Sequence, residues 1–351
     1  MMPSQSLGGK YKVLLRSSLS IRSMITGNND GEKMMEKKQM SVEEFLNKKE
    51  NWKYDFREEI VTFHTEDPID RYHIYKAIGI AEEGGDVTDP VYLAAHAIRE
   101  CHYPLVPGGE ADNSLLVQEL FRIVWDEEFL EDCMDGSGNL KIDTLNSAFH
   151  PLTVLLKLEN TEVSGRWSNR KVLRLYITGK FREIVTQYRA VEEFLKVCYT
   201  IGNFMPVPVG SNGPRGCGKT DDYWDLALDC IYNWYLNENI AERKKSLEHL
   251  LNGKIAVANQ YGVWLDKFGR GQEGWNRFVE VSFMQPFVDE ISGKPKKLCE
   301  KHVEQLSENK DKFMCFFVNA TERILARGEL IADAVRSQSL KFRQKEGGFL
   351  P

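Results

Sequence analysis

Between Tyr199 and Thr220 the chain reads YTIGNFMPVPVGSNGPRGCGKT, and this stretch limits the fold more than any other. Proline lacks the amide hydrogen that a helix interior or a central strand requires, and glycine resists being fixed in either. Pro206, Pro208 and Pro214, with Gly210, Gly213, Gly216 and Gly218, therefore force a loop into the middle of the sequence. Directly after it, Trp224, Leu228, Ile231 and Trp234 or Tyr235 recur at helical spacing. The chain must pack a Pro/Gly loop against the start of an aromatic-rich helix, and the rest is organised around that junction.

Elsewhere the apolar period is mostly that of helices. Ser41 and Glu44 form a capping box before a short helix carrying Val42, Phe45 and Leu46. Asp67-Pro68 and Asp89-Pro90 read as helix starts, the second leading into Val91, Ala94, Ala95, Ile98 and Cys101. Leu115 to Phe129 predicts one helix, with Leu116, Leu120, Ile123 and Val124 inward. After the turn MDGSGN, Asp143 or Thr144 caps a helix that runs to Leu158 with a kink at Pro151. Val172 to Thr178 is the best strand candidate, and a helix returns from Arg182 to Val197. Ala241 to Leu251 is a charged amphipathic helix stopped by Asn252-Gly253, and Trp264, Phe268, Trp275 and Phe278 are core anchors. Residues 309 to 337 form the longest helix, with Phe313, Phe317, Ala320, Ile324, Ile331 and Val335 on one seam. The expectation is a mainly α, irregular multi-helix globular fold with few short strands.

The 351 residues, 42% apolar and 28% charged, suffice for a sizeable core. No apolar run approaches the roughly 20 residues of a membrane-spanning helix. Seven scattered cysteines suit reduced thiols and a cytoplasmic location. The net charge of -6 is uneven: residues 66 to 138 hold 17 acidic and 4 basic side chains, and residues 139 to 351 are net basic. A solvated acidic surface explains this, with a dock for a basic protein partner as the alternative. The strongly basic footprint of a nucleic-acid binder is missing. The organisation expected is a leader over residues 1 to 40, either disordered or an over-extended start. An acidic helical region to 140, a helical core region over 141 to 340 and a loose tail follow.

The central stretch contains GPRGCGKT at Gly213 to Thr220, a literal phosphate-loop pattern in which Lys219 and Thr220 would be the lysine and the metal-binding hydroxyl. Three features count against a nucleotide there. The preceding FMPVPV holds two prolines where a buried parallel strand is needed, Asp221 and Asp222 place carboxylates where polyphosphate would sit, and no strand ending in a metal-binding aspartate stands out. The same residues serve a helix start, with Thr220 or Asp221 as cap. Asp222, Asp225, Asp229 and Asn233 then form a polar stripe that faces solvent or, less simply, binds Mg²⁺. Cys299 and His302 have ligand spacing but no matching second pair, and Cys101 and His102 are adjacent, so neither makes a zinc site; His150 before Pro151 is a candidate base, though a lone histidine on an apolar helix is more often a core residue. Gly269, Gly271 and Gly274 match a dinucleotide fingerprint without the βαβ pattern around it.

The order YTIGNFMPVP at Tyr199 to Pro208, N-x-P-R at Asn212 to Arg215 and DYWDLAL at Asp222 to Leu228 resembles a widespread family of uncharacterised bacterial proteins. The likeness is strongest from Tyr199 to Trp234 and looser from Asp143 to Val335. Asn212, Arg215, Asp222 and Asp225 match the family's pattern; Gly218-Lys219-Thr220 is not part of it. The resemblance implies a shared site but supplies no settled activity, and the cofactor stays unknown.

The chemistry of these residue types points to a small anionic ligand. Arg215 would hold its anionic or carbonyl group, Asn212 would orient the loop, Trp224 would supply an aromatic wall, and Asp222 or Asp225 would fix Arg215 or act as acid or base. Equally, the polar four could simply pin the loop to the helix. A phosphate-loop nucleotide hydrolase and an acidic interaction module are the readings from other classes.

Overall fold

The computed structural model describes residues 40–56, 114–146, 187–211, 213, 224–298 and 310–346, all of them in one unit spanning Gln39–Pro351. Among the described residues the fold is mostly helical, with a single two-stranded sheet. Helix α1 (Val42–Asn47) starts at the expected capping box: Ser41 Oγ accepts from the Glu44 amide, and the Glu44 carboxylate accepts from the Ser41 amide at 2.8 Å. A 3-10 turn follows at Asn51–Lys53. The helix expected over Leu115 to Phe129 is two helices, α2 (Leu115–Val124) and α3 (Glu127–Leu130), because Trp125 is extended between them. Asp126, Glu127 and Glu128 favour a new helix start there, where carboxylates meet the positive end of the dipole. The break turns Trp125 inward to stack on Trp264, centroids 6.4 Å apart, while Phe129 stacks on Phe268 at 4.3 Å.

A second correction falls at Asp143 and Thr144, which do not cap a helix. Ile142–Thr144 is strand β1, paired antiparallel with β2 (Phe204–Pro206) in the register Ile142 with Pro206 and Thr144 with Phe204. Pro206 is tolerated because it stands at the end of a strand in a sheet that is all edge. The strand expected at Val172 to Thr178, the kink at Pro151 and the helix starts at Asp67 and Asp89 lie outside the described residues.

Between the strands, α4 (Arg189–Val197) leads through a 3-10 turn (Ile201–Asn203) into β2. Helices α5 (Trp224–Leu236), α6 (Ile240–Leu250), α7 (Ile255–Asp266) and α8 (Gly271–Val281) come next. Asn252-Gly253 ends α6 as expected: Asn252 takes the left-handed conformation at φ 51°, and the Gly253 amide donates to Glu248 O at 2.7 Å. The glycines at 269, 271 and 274 join two helices, so the dinucleotide fingerprint has no strand before it. A Cβ on Gly274 would lie 2.5 Å from the Gly269 carbonyl carbon, so glycine at 274 lets the α7–α8 connection pass close to the first turns of α8.

The last described helix, α9 (Lys310–Glu346), extends beyond its expected end at 337. Phe317, Ala320, Ile324, Ile331 and Val335 are fully buried, as the seam predicts. They pack on α4, on α2 and on the turns at 51–53, 201–203 and 285–287. The core is continuous across residue 140, since Trp125 and Phe129 from one side meet Trp264, Phe268 and Phe278 from the other.

Charge is also shared across that point. Lys267 Nζ lies 2.6 Å from Asp132 and 3.5 Å from Glu131, Arg277 lies 2.9 Å from Glu128, and Lys141 lies 2.9 Å from Asp135. Several acids of the negative segment are therefore matched by bases from the positive remainder of the chain.

Among the described glycines, the closest approach is where α9 crosses the TIGNF turn. A Cβ built on Gly202 would lie 1.9 Å from Ile324 O and 2.7 Å from Gly328 N, both of them backbone atoms that cannot rotate away. We expect Gly202→Ala to lower the unfolding free energy by about 3 kcal/mol. A urea titration checks this, and an unchanged midpoint would mean that α9 does not sit so close.

Candidate functional site

The loop–helix junction is built from short polar side chains buried behind it. Asn203 is fully enclosed, and all four hydrogen-bonding positions of its amide are used. Its Nδ2 donates to Asn146 O at 3.0 Å and Cys198 O at 2.8 Å, while its Oδ1 accepts from Asn146 N at 2.9 Å and Asn146 Nδ2 at 3.3 Å. Asn146 Oδ1 in turn accepts from the Trp224 amide at 3.4 Å, at the first residue of α5. Thr200, also enclosed, donates to Val197 O at 2.9 Å. The turn TIGN thus serves as a polar clasp that joins the end of α4, the residues after β1 and the start of α5.

The outgoing side of the loop is anchored as well. The Val207 amide donates to Lys141 O, the Val209 amide to Asp132 O, and Ser211 Oγ to Pro208 O at 2.6 Å, with Ser211 itself buried. Ser211 and Trp224 therefore stand in the core on either side of the Asn/Arg loop. Asn212, Arg215 and Asp222 lie outside the described residues, as do Lys219 and Thr220. The expected bond from Arg215 to Asp222 or Asp225 falls there too.

Trp224 and Asp225 are the two predicted site residues that are described. Trp224 is fully enclosed, so its ring is core rather than an open wall. Asp225 is only 4% exposed, which corrects the solvent-facing stripe of α5 at that position, while Asn233 at its far end is exposed. The reason is that the segment Lys296–Leu298 lies over that side of the helix. Asp225 Oδ2 accepts from the Leu298 amide at 2.9 Å and Oδ1 from the Leu226 amide at 3.0 Å. Asp229, one turn on, contacts Lys297 Nζ. Burial raises the Asp225 pKa above its ordinary value, opposed by the amides of Leu298 and Leu226 and by the charges of Lys297 and Arg323. Arg323 is pushed down by its own desolvation, against the pull of Asp225.

Helix α9 supplies polar residues around the junction that the seam did not reveal. Asn319, Arg323 and Arg327 follow one another at spacings of four, so they form a ladder beside the apolar seam. Asn319 Nδ2 donates to Leu298 O at 2.7 Å, and Arg323 donates to Lys296 O and Lys297 O at 2.8 and 2.6 Å. Arg327 is fully enclosed, with Nη1 on Gly202 O and Phe204 O at 2.8 and 2.7 Å and Nε on Ser282 O at 3.1 Å. Ser282 is the C-cap of α8, so the guanidinium meets the negative end of that helix. Desolvation alone pulls Arg327 down to about 9, which leaves it charged at neutral pH. The sequence signal was an arginine one turn from Ile324 and Ile331, where the seam's spacing leaves a gap.

Among the described residues no group of three or more His, Cys, Asp or Glu could hold a metal ion. A groove of about 480 Å³ between α5 and α6 is lined by Cys230, Asn233, Lys245, Ser246 and His249. Burial pushes the Cys230 thiol up to about 12, so it is no nucleophile at neutral pH. His150, Cys101, His102, Cys299 and His302 lie outside the described residues.

No protein-family model matches the chain, no curated protein matches it, and no solved structure matches it.

The raised pKa of Asp225 fixes a sign. Its folded form binds a proton more readily than the unfolded chain does, so the charged carboxylate costs stability once pH exceeds the ordinary value of 3.8. That cost disappears below 3.8, where both states are protonated. Asp225→Asn should therefore gain in stability on the wild type as pH rises from about 3 to about 7. Thermal melts of both proteins across that range test it, and a gap that narrows with rising pH contradicts the burial argument.

Proposed function

We propose that the chain is a bacterial cytoplasmic protein that binds a small anionic ligand at the loop between Ser211 and Trp224. In this reading Arg215 holds the anion, Asn212 orients the loop, and Asp222 pairs with Arg215 or exchanges a proton with the ligand. Asp225 holds the Lys296–Leu298 segment over α5, and Trp224 forms the buried floor. The observation that supports it most is the anchoring of both loop ends by buried polar bonds, at Ser211 and through Asn146 at Trp224. A loop that carries Arg and Asn from so rigid a base is suited to recognition. The cytoplasmic location is supported by the four free cysteines among the described residues. No described helix is long and apolar enough to cross a membrane.

The two other classes are less well supported. A phosphate loop follows a strand within a parallel sheet, whereas β2 pairs antiparallel with β1. An acidic dock needs unmatched charge, and among the described acids of the negative segment Glu128, Glu131, Asp132 and Asp135 are paired within the fold; its acids before residue 114 lie outside the described residues.

Thermal shift against phosphate, sulfate, small carboxylates and nucleotides with Mg²⁺ distinguishes these readings. We expect one class of small anion to raise the melting temperature of the wild type and of Lys219→Ala. Arg215→Ala should lose that response while melting within about 2 °C of the wild type on its own. A nucleotide response abolished by Lys219→Ala would support the phosphate-loop hydrolase instead. If none of these anions shifts the wild type, the ligand reading falls.

A further inference from the structure

Arg327 carries a charge that its neighbours do not neutralise. Its three hydrogen bonds all go to backbone carbonyls, which solvate a cation but bring no net negative charge. No acceptor reaches its Nη2 among the described residues, and no carboxylate contributes to its titration. An enclosed ion without a counter-charge is among the costliest features a core can hold.

The neighbouring turn at 51–53 has a second anomaly. Asn51 is 1% exposed, and among the described residues neither its Oδ1 nor its Nδ2 has a hydrogen-bond partner. That turn lies directly on α9 beside Arg327: Trp52 O and Trp52 Cβ are each 3.3 Å from where a Cβ on Gly328 would stand. It also packs on the 201–203 turn, whose Gly202 carbonyl Arg327 holds. Two buried N–H donors without acceptors, one of them cationic, thus occupy adjoining elements at the same crossing.

We propose that a monatomic anion of the halide class binds at this crossing, held against Nη2 of Arg327 with Asn51 Nδ2 as its second donor. Such an ion accepts from both donors and supplies the negative charge that the carbonyls lack, while Asn51 Oδ1, itself an acceptor, gains nothing from it. A water would complete the bonding alone. Because the crossing is enclosed, the ion is taken up as α9 docks, and its affinity is read as stability of the folded chain. The site is independent of the ligand loop and shares no residue with it.

The test is thermal unfolding of the full chain at constant ionic strength, with potassium chloride or bromide exchanged for potassium gluconate. Halide should raise the midpoint by several degrees, equally in the wild type and in Arg215→Ala. Asn51→Asp installs a carboxylate at the crossing and should make the midpoint independent of halide. Since truncation of Arg327 can prevent folding, the second measurement uses the wild type: crystals soaked in bromide should show an anomalous peak within hydrogen-bonding reach of Nη2. Equal midpoints in chloride and gluconate, a halide response that persists in Asn51→Asp, or no bromide at Nη2 overturns the proposal.

Discussion

One guanidinium, enclosed and with no carboxylate beside it among the described residues, joins three parts of this fold. Arg327 grips the TIGNF turn through Gly202 and Phe204 and the C-terminus of α8 through Ser282. Hydrogen bonds from a charged donor contribute roughly 1.5 to 3 kcal/mol each, so the three together offset much of the desolvation that burial imposes. The apolar seam brings α9 against the core, and the polar ladder beside it fixes the register of the turns below. Asn319 and Arg323 do for the 296–298 segment what Arg327 does for the 202–204 turn. Asp225 completes the hold on that segment from the opposite helix.

How far the fold was legible depended on whether a signal was periodic or pairwise. The seam of α9, the capping box at Ser41, the stop at Asn252 and the aromatic anchors from Trp264 to Phe278 each follow from local spacing. The sheet did not, because Ile142–Thr144 is too short to show a strand period and finds its partner some sixty residues away at β2. Asp143 has the composition of a helix cap, and tertiary pairing overrides that preference. The break at Trp125 was likewise hidden, because the apolar pattern continues across it while the backbone does not.

At the candidate site the sequence located the junction and misjudged its surroundings. Asp225 reads as part of an exposed stripe when α5 is considered alone, because nothing in the helix itself indicates that Leu298 will lie across it. Asn146 and Asn203 attract no attention as lone asparagines, although together they close every hydrogen bond at the base of the loop. Arg327 was the most accessible of the missed residues. A cation beside an otherwise apolar seam has to be solvated by something, and the turns that α9 crosses provide the carbonyls.

The ladder of α9 bonds entirely to main-chain oxygens, and that has an evolutionary consequence. A side-chain partner can be lost by substitution, whereas a carbonyl is present whatever residue supplies it. Ser282 and Phe204 are therefore free to drift in identity without loosening Arg327, provided the backbone path survives. Gly202 is the exception, and only through the space that Ile324 denies it. Covariation between α9 and its contacts would be faint for the polar ladder and concentrated at the glycine crossing, so the grip of Arg327 would leave little paired trace among related sequences.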